Sequence, residues 1–305
     1  MQTSPPAIRV ADDVRRALEL GAPVLALEST ILTHGLPGPR NLEVGLESEA
    51  QVRATGVTPA TIGVIDGEPV VGLSPAELEH LCRADAVVKV SVRDLPIVRA
   101  KGLDGGTTVA ATAWLAHRAG IQVMSTGGLG GVHRGASETF DESADLGTLA
   151  ETPITLVSAG VKSILDIGAT LERLETLNIP VVGYRTNRYP GFYIADSGFA
   201  LDYRIESPTE AAALAQARNQ LGLTSAVLVA NPVDEAQQLD PAFHDRVLTE
   251  ALAAASEAGI KGHDTTPFLL DYVQRATGGR SLEVNLEVYR GNVALGAEIA
   301  RAVAG

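Results

Sequence analysis

Cysteine, aromatic residues and lysine are all scarce in this 305-residue sequence, and no stretch is apolar for long. The single cysteine, Cys82, excludes an internal disulfide and any CxxC metal knuckle. It follows Glu79-His80-Leu81 in a helical pattern, where a small buried residue is the simple reading. No run of about 18 apolar residues is present to span a membrane, and residues 1–16 lack the apolar centre of a secretory signal. The expectation is a soluble cytoplasmic protein. Positive charge is short as well: 24 basic against 37 acidic residues leave a formal charge of −13. That is the wrong sign for a general binder of nucleic acid or anionic membrane, though a locally basic pocket for a small anion stays compatible with it. Only four of the basic residues are lysine (Lys89, Lys101, Lys162 and Lys261), so each lysine draws attention.

What is present is ordinary for a globular enzyme: 45% apolar and 20% charged residues, with 31 glycines. A chain this long buries roughly three quarters of its unfolded surface and needs no staple. Short β-branched runs alternate with longer helical stretches, which predicts an α/β domain with a largely parallel, covered sheet. The predicted strands are 24–27, 61–65, 86–90, 122–125, 154–158, 181–183 and 226–230. The predicted helices include 9–20, 41–55, 109–119, 164–177, 211–221 and 241–258. No linker divides residues 1–305, so one domain is expected. Residues 187–204, rich in Tyr, Gly and Phe and without helical period, read as a small hairpin or lid. Ser74-Pro75-Ala76-Glu77 and Ser207-Pro208-Thr209-Glu210 have the form of capping boxes, and Asp240-Pro241 and Thr266-Pro267 repeat part of it.

Ligands of α/β sheets collect at the carboxyl ends of strands, and five such ends carry polar residues the core does not need. Glu28 directly follows an apolar strand. It is either a solvated strand-end glutamate or a carboxyl whose pKa is raised by a half-apolar pocket for general acid work. His34, in the turn that follows, reads equally well as a hydrogen-bonded turn histidine. Lys89 lies inside an apolar strand, where an ammonium calls for an anion; Arg93-Asp94 reads as an ion pair. The Gly105-Gly106-Thr107-Thr108 turn opens a helix and has the form of an anion cradle, without matching a Walker A or GxGxxG pattern. Five glycines crowd residues 125–135, which suggests close approach of backbone to a ligand. Asp141, in the acidic turn after them, is either a ligand for a hard divalent ion or a carboxylate favoured by a helix dipole. Lys162, at a strand-to-helix junction with apolar neighbours, suits a neutral amine nucleophile for Schiff-base chemistry; the plain alternative pairs it with Asp166.

Taken together, these segments resemble the pseudouridine-5′-phosphate glycosidase family, also known as the indigoidine synthase A family. The resemblance rests on ALESTILTHG (26–35), RDLPIVRAKG (93–102), GTTVAAT (106–112), STGGLGGVHRGASETFDESAD (125–145) and SAGVKSIL (158–165). ANP (230–232), TTPFLL (265–270) and SLEVN (281–285) extend it over nearly the whole chain. It implies a three-layer α/β/α fold with a mixed, largely parallel sheet, a homotrimer, and a C-glycosidase of the lyase class. That enzyme would reversibly cleave pseudouridine 5′-phosphate to uracil and ribose 5-phosphate with Mn²⁺, or Mg²⁺ in its place. By motif position the nucleophilic lysine falls on Lys162, the proton-donating glutamate on Glu28 and the metal carboxylate on Asp141. Phosphate and ribose contacts fall on Lys89, Thr108, Val109, Ser143, Ala144 and Asp145, and uracil contacts on Thr126, His133 and Asn285. A C–C bond offers no glycosidic oxygen to protonate, so an amine plus one proton donor suits the cleavage better than the usual pair of carboxylates. Three rivals remain: another Schiff-base lyase or aldolase on a sugar phosphate, a ribokinase-like phosphotransferase, and a non-catalytic binding protein.

Overall fold

A computed structural model describes residues 8–260 and 265–305. Lys261, one of the four lysines, lies outside the described residues. The strands are β1 (Arg9–Val10), β2 (Val24–Leu27), β3 (Thr58–Ile65), β4 (Glu68–Val71), β5 (Val88–Val90), β6 (Gly105–Thr107), β7 (Val123–Ser125), β8 (Thr155–Ser158), β9 (Val181–Tyr184), β10 (Arg204–Ile205) and β11 (Val227–Ala230). The helices are α1 (Asp12–Glu19), α2 (Arg40–Ala54), α3 (Pro75–Arg83), α4 (Leu95–Lys101), α5 (Val109–Ala119), α6 (Ala136–Thr139), α7 (Ala144–Ala150), α8 (Ile167–Thr176), α9 (Pro208–Gln220), α10 (Pro241–Glu257), α11 (Thr265–Ala276) and α12 (Arg280–Ala304).

All eleven strands form one sheet in the order β1-β4-β3-β2-β7-β8-β11-β9-β10, with β6 bridging β3 to β5. Pairing is parallel except where β3 meets β4 and β6. Helices cover both faces, giving the three-layer α/β/α fold. The alternation of each strand serves two cores. Val24, Ala26, Met124, Leu156 and Leu228 join the core built with α1, α5 and α10, while Leu25, Leu27, Val123, Val157 and Val229 join the one built with α2 and α12. A strand buried on both faces has to be apolar throughout, which is why VLAL and VLVA read so plainly as strands.

The predicted strands are all present, lengthened or trimmed by a few residues, and α5 spans the predicted 109–119. β1, β4, β6 and β10 lie outside the prediction. β6 is the informative one, because its sequence is Gly-Gly-Thr and its glycines serve packing. A Cβ on Gly105 would come within 2.3 Å of Val90 Cγ2, and one on Gly106 within 2.1 Å of Thr33 Oγ1. The expected anion cradle at 105–107 is therefore corrected to a buried strand. The 25-residue α12 is also unforeseen, since its apolar residues surround much of the helix and Gly291 and Gly296 interrupt its propensity. Gly296 is needed there: a Cβ would come within 1.9 Å of Ser125 Oγ, so only glycine lets the helix lie this close to β7.

The capping box at Ser74 is complete, with Ser74 Oγ accepting from Glu77 N and Glu77 accepting from Ser74 N at 2.8 Å. At Ser207 only half of it forms, because the Glu210 carboxylate reaches back to Glu206 N at 2.9 Å. Cys82 sits half-buried at the end of α3, and burial pushes its thiol up to about 11, far from a nucleophile's range. Among the described residues, no helix is long and apolar enough to cross a membrane.

Residues 187–204 form an irregular hairpin docked into the core. Tyr189 N donates to Phe199 O (2.9 Å) and Leu201 N to Asn187 O (2.8 Å), while Tyr189, Phe192 and Tyr193 are buried. Tyr189 Oη accepts from Val161 N at 3.0 Å and so anchors the residue preceding Lys162. Tyr189→Phe should leave that N–H buried and unsatisfied and lower stability by about 1–3 kcal/mol, read as a lower denaturation midpoint at unchanged m-value; an unchanged midpoint would show that the bond does not hold the turn.

Candidate functional site

The strand ends that carry the polar motifs converge on one side of the sheet. Glu28 follows β2 and is held there by its neighbours. Ser29 Oγ donates to Ile62 O at 2.5 Å and accepts from Thr107 N at 2.9 Å, and Thr30 Oγ1 donates to Gly106 O at 3.0 Å. These two hydroxyls staple the turn after β2 to β3 and β6. The chain then makes a π-helical turn, Ile31–Gly35, of a kind that is rare outside functional sites. Within it His34 has both ring nitrogens engaged, Nδ1 with Thr33 Oγ1 (2.7 Å) and Nε2 with Val87 O (3.0 Å). Burial lowers its pKa, so it is a neutral turn histidine tying this turn to β5.

A cavity of about 380 Å³ opens above these ends, and Glu28, Lys89, Thr126, Lys162 and Asn285 all line it. Sequence reasoning named each of them; Thr30, His34, Gly127, Gly128 and Phe192 share the wall, with Pro267, Leu270 and Gln274 of α11 on the other side. Glu28 is 5% exposed and accepts a short hydrogen bond from Thr126 Oγ1. Burial drives its pKa up, opposed chiefly by the Lys162 ammonium and by the Thr126 hydroxyl. Lys162, half-buried, makes no ion pair or hydrogen bond through its amine among the described residues. Asp166, its partner in the alternative reading, instead caps α8 by accepting from Ala169 N at 2.9 Å. Lys89 is open to solvent along the cleft but walled by protein on its other sides. Burial and the nearby Lys162 charge lower its pKa, while Asp145 and Glu28 pull the other way. Asn285 Oδ1 is buried with no partner among the described residues.

The remaining predicted contacts gather beside the cavity, at the start of α5 and α7. Thr108 caps α5 by accepting from Ala111 N, and Ser143 caps α7 by accepting from Asp145 N at 3.2 Å. Asp145 is 6% exposed, and its two carboxylate oxygens accept from Ala110 N (2.9 Å) and Gly130 N (2.8 Å). That carboxylate, expected at the phosphate, is thus engaged with backbone. Within the first turns of these helices, the amides of Val109 and Ala144 have no partner among the described residues. Unpaired N–H groups at helix starts are suited to an anion.

His133 and Asp141 stand together, the imidazole Nδ1 3.7 Å from the carboxylate and His133 N bonded to Asp141 O at 3.0 Å. His133, expected at the uracil end, is therefore placed with the acidic turn and is absent from the cavity wall. No cluster of three or more His, Cys, Asp or Glu with metal-binding geometry occurs among the described residues. One half-exposed carboxylate fits a hard divalent ion that keeps most of its water. Arg93 is exposed and lies 3.6 Å from Asp94, an ion pair as the simpler reading has it.

The glycine-rich segment needs a correction. Cβ atoms on Gly128, Gly130 and Gly131 would meet Phe192 at 2.6 Å, Ser143 Oγ at 2.2 Å and Thr170 Oγ1 at 2.4 Å. Protein packing against these three positions accounts for their glycines, and only Gly127 and Gly128 also line the cavity. The signal that was missed lies in α12. Asn292, fully buried, donates to Thr126 O (2.8 Å) and Gly127 O (3.0 Å) and accepts from Asn231 at 2.9 Å, fixing the backbone beside Glu28. An asparagine flanked by Gly291 and Val293 is the only trace of this in the sequence.

The family model for indigoidine synthase A like protein matches residues 13–302. The chain is 64% identical over 296 residues to the pseudouridine-5′-phosphate glycosidase of Saccharopolyspora erythraea, covering 97% of this chain and 98% of that one. It is 47% identical over 293 residues to the enzyme of the same name from Caldanaerobacter subterraneus, covering 96% and 95%. Among solved structures, the prealnumycin C-glycosynthase AlnA in complex with ribulose 5-phosphate superposes with a TM-score of 0.92 at 36% identity, over 99% of this chain and 98% of that one. An indigoidine synthase A-like protein from Thermotoga maritima superposes with a TM-score of 0.89 at 36% identity over the full length of both. With that sequence match across almost its whole length and the same fold in its structural relatives, the chain belongs to the indigoidine synthase A like family.

Proposed function

We propose that this protein is an enzyme that reversibly cleaves the C–C glycosidic bond of pseudouridine 5′-phosphate, giving uracil and D-ribose 5-phosphate. The observation that carries the reading is an unpaired lysine amine and a buried, pKa-raised glutamate in one cavity, Lys162 and Glu28. The relatives' names and the sugar phosphate bound to AlnA agree with it. In cleavage, the Lys162 amine adds to C1′ while the C1′–O4′ bond breaks, its electron pair leaving to O4′, which takes a proton from Glu28. The Glu28 carboxylate then takes a proton from the adduct nitrogen, whose freed lone pair becomes the C1′=N bond of an iminium as the C1′–C5 pair passes to the uracil ring, protonated at C5 by the same carboxyl group. Water hydrolyses the iminium to the aldehyde of ribose 5-phosphate and the free amine. Glu28, whose protonated form burial favours, is the proton shuttle, regaining its proton when the iminium is hydrolysed, and Thr126 orients it.

The phosphate belongs with Lys89 and the open amides of Val109 and Ala144, in the cradle formed by Thr108, Ser143 and Asp145. Asp141 would hold Mn²⁺, or Mg²⁺, with water completing the shell; such an ion supplies charge neutralisation at the phosphate. A homotrimer working in the cytoplasm in pseudouridine catabolism completes the reading.

Mass spectrometry tests the nucleophile. Incubation with ribose 5-phosphate, Mn²⁺ and a hydride reductant should add one reduced ribose phosphate to wild type and nothing to Lys162→Ala, and native spectra of the same sample should show three chains. Cleavage by the wild type with no trapped adduct would exclude the iminium.

Glu28→Gln should lower turnover by about 10²–10⁴-fold, the usual worth of a positioned acid. Because burial raises the Glu28 pKa, its contribution to stability is complete below the ordinary glutamate value of about 4.3 and is lost as pH rises through the folded-state value. Glutamine cannot ionise, so the variant's melting temperature should exceed wild type by a margin that is larger at pH 8 than at pH 4.5. An equal margin at both would show that Glu28 ionises as freely folded as unfolded.

Asp141→Asn should raise the Mn²⁺ concentration giving half-maximal activity by about 10-fold or more. An unchanged metal requirement would place the ion elsewhere.

A further inference from the structure

The hairpin at 187–204 supplies no residue to the chemistry above, yet its centre carries an unusual feature. Phe192 has a backbone φ of 65°, a left-handed conformation that a bulky residue enters only at a cost, and such residues gather at functional sites. Several contacts hold it there. Phe192 N donates to Ala159 O at 3.2 Å, Gly191 N donates to Ile194 O at 2.9 Å, and the Phe192 ring stands edge-to-face on Tyr193 with centroids 4.7 Å apart.

The result is an aromatic ring in the wall of the cavity that holds Glu28 and Lys162. It lies flush against Gly127 and Gly128, where Cβ atoms would come within 3.7 Å and 2.6 Å of it. A Cβ at the same Gly127 position would lie 3.5 Å from Asn285 Oδ1, so the ring and that amide oxygen flank one point of the cavity wall. Among the described residues Asn285 Oδ1 is buried without a partner, a state that costs free energy unless a ligand brings a donor. An aromatic ring and an unsatisfied acceptor in one cavity wall suit a flat ring with an N–H on its edge.

We propose that Phe192 is the platform on which the substrate's base stacks, beside the uracil contact already expected at Asn285, and that the ring selects planar imide heterocycles over puckered ones. The inference rests on the reaction proposed above and extends it to the choice of base. It also explains why position 128 is glycine, since a Cβ there would come within 2.6 Å of the ring and displace it.

The test uses the synthetic direction, with uracil, ribose 5-phosphate and Mn²⁺, and takes 5,6-dihydrouracil as a competitive inhibitor that has the same imide edge on a puckered ring. Phe192→Leu should raise KM for uracil about tenfold, in the range of base–aromatic stacking, while the dihydrouracil Ki changes by less than about twofold. Phe192→Tyr, which keeps the aromatic face, should stay within about twofold of wild type for both. Gly128→Ala, which displaces the ring without changing its chemistry, should reproduce the leucine result and carries the test should Phe192→Leu fail to fold. An unchanged uracil KM in the leucine and alanine variants of an active enzyme overturns the stacking role. So does an equal loss of uracil and dihydrouracil, which would make Phe192 a matter of pocket shape alone. Wild type that forms no pseudouridine 5′-phosphate overturns the reaction itself, and the stacking with it.

Discussion

The site depends on one buried carboxylate. Asp145 accepts a backbone N–H from the first turn of α5 with one oxygen and from Gly130 with the other, so it joins segments far apart in the sequence at a single point. Charge-assisted bonds of this kind are short and geometrically demanding, and in a buried setting neither end can trade its partner for water. They bring the starts of α5 and α7 side by side, leaving the amides of Val109 and Ala144 open beside the cavity. The same charge acts on Lys89 and Glu28, so one side chain both assembles the cleft and sets part of its field.

A second constraint comes from the last helix. α12 lies against β7 closely enough that Gly296 has no room for a Cβ, and this closeness lets Asn292 reach the carbonyls of Thr126 and Gly127. Thr126 in turn bonds Glu28. A residue near the C-terminus therefore aims a carboxyl near the N-terminus, through a chain of fully buried hydrogen bonds. Tyr189 does the comparable work for Lys162, by holding the N–H of the residue before it. The two groups proposed to carry the chemistry are thus both positioned by elements without an evident functional motif.

Much of the fold was legible because burial on two faces leaves a strand no choice but an apolar run, and because Ser-Pro-x-Glu and Asp-Pro write helix starts in local chemistry. The site was legible in its lysines and in Glu28, where a charged residue interrupts or ends an apolar strand at a cost that asks for a reason. β6 was not legible, since a Gly-Gly-Thr strand has neither β propensity nor alternation; it forms by pairing with β3 and β5, where Val90 and Thr33 leave room only for glycine. The glycines at 128, 130 and 131 misled for the related reason that a sequence shows the absence of a side chain but not which neighbour requires it.

By itself, then, the sequence determined the α/β class, the order of its main strands and helices, and the residues able to supply an amine, an acid and an anion contact, because these follow from period, propensity and the cost of burying charge. Only the tertiary structure decided which of those residues face one cavity, that Asp145 binds backbone, that His133 stands with Asp141, and that Phe192 forms a wall. Those outcomes rest on contacts between segments far apart in the chain, and no local pattern records the distance between them.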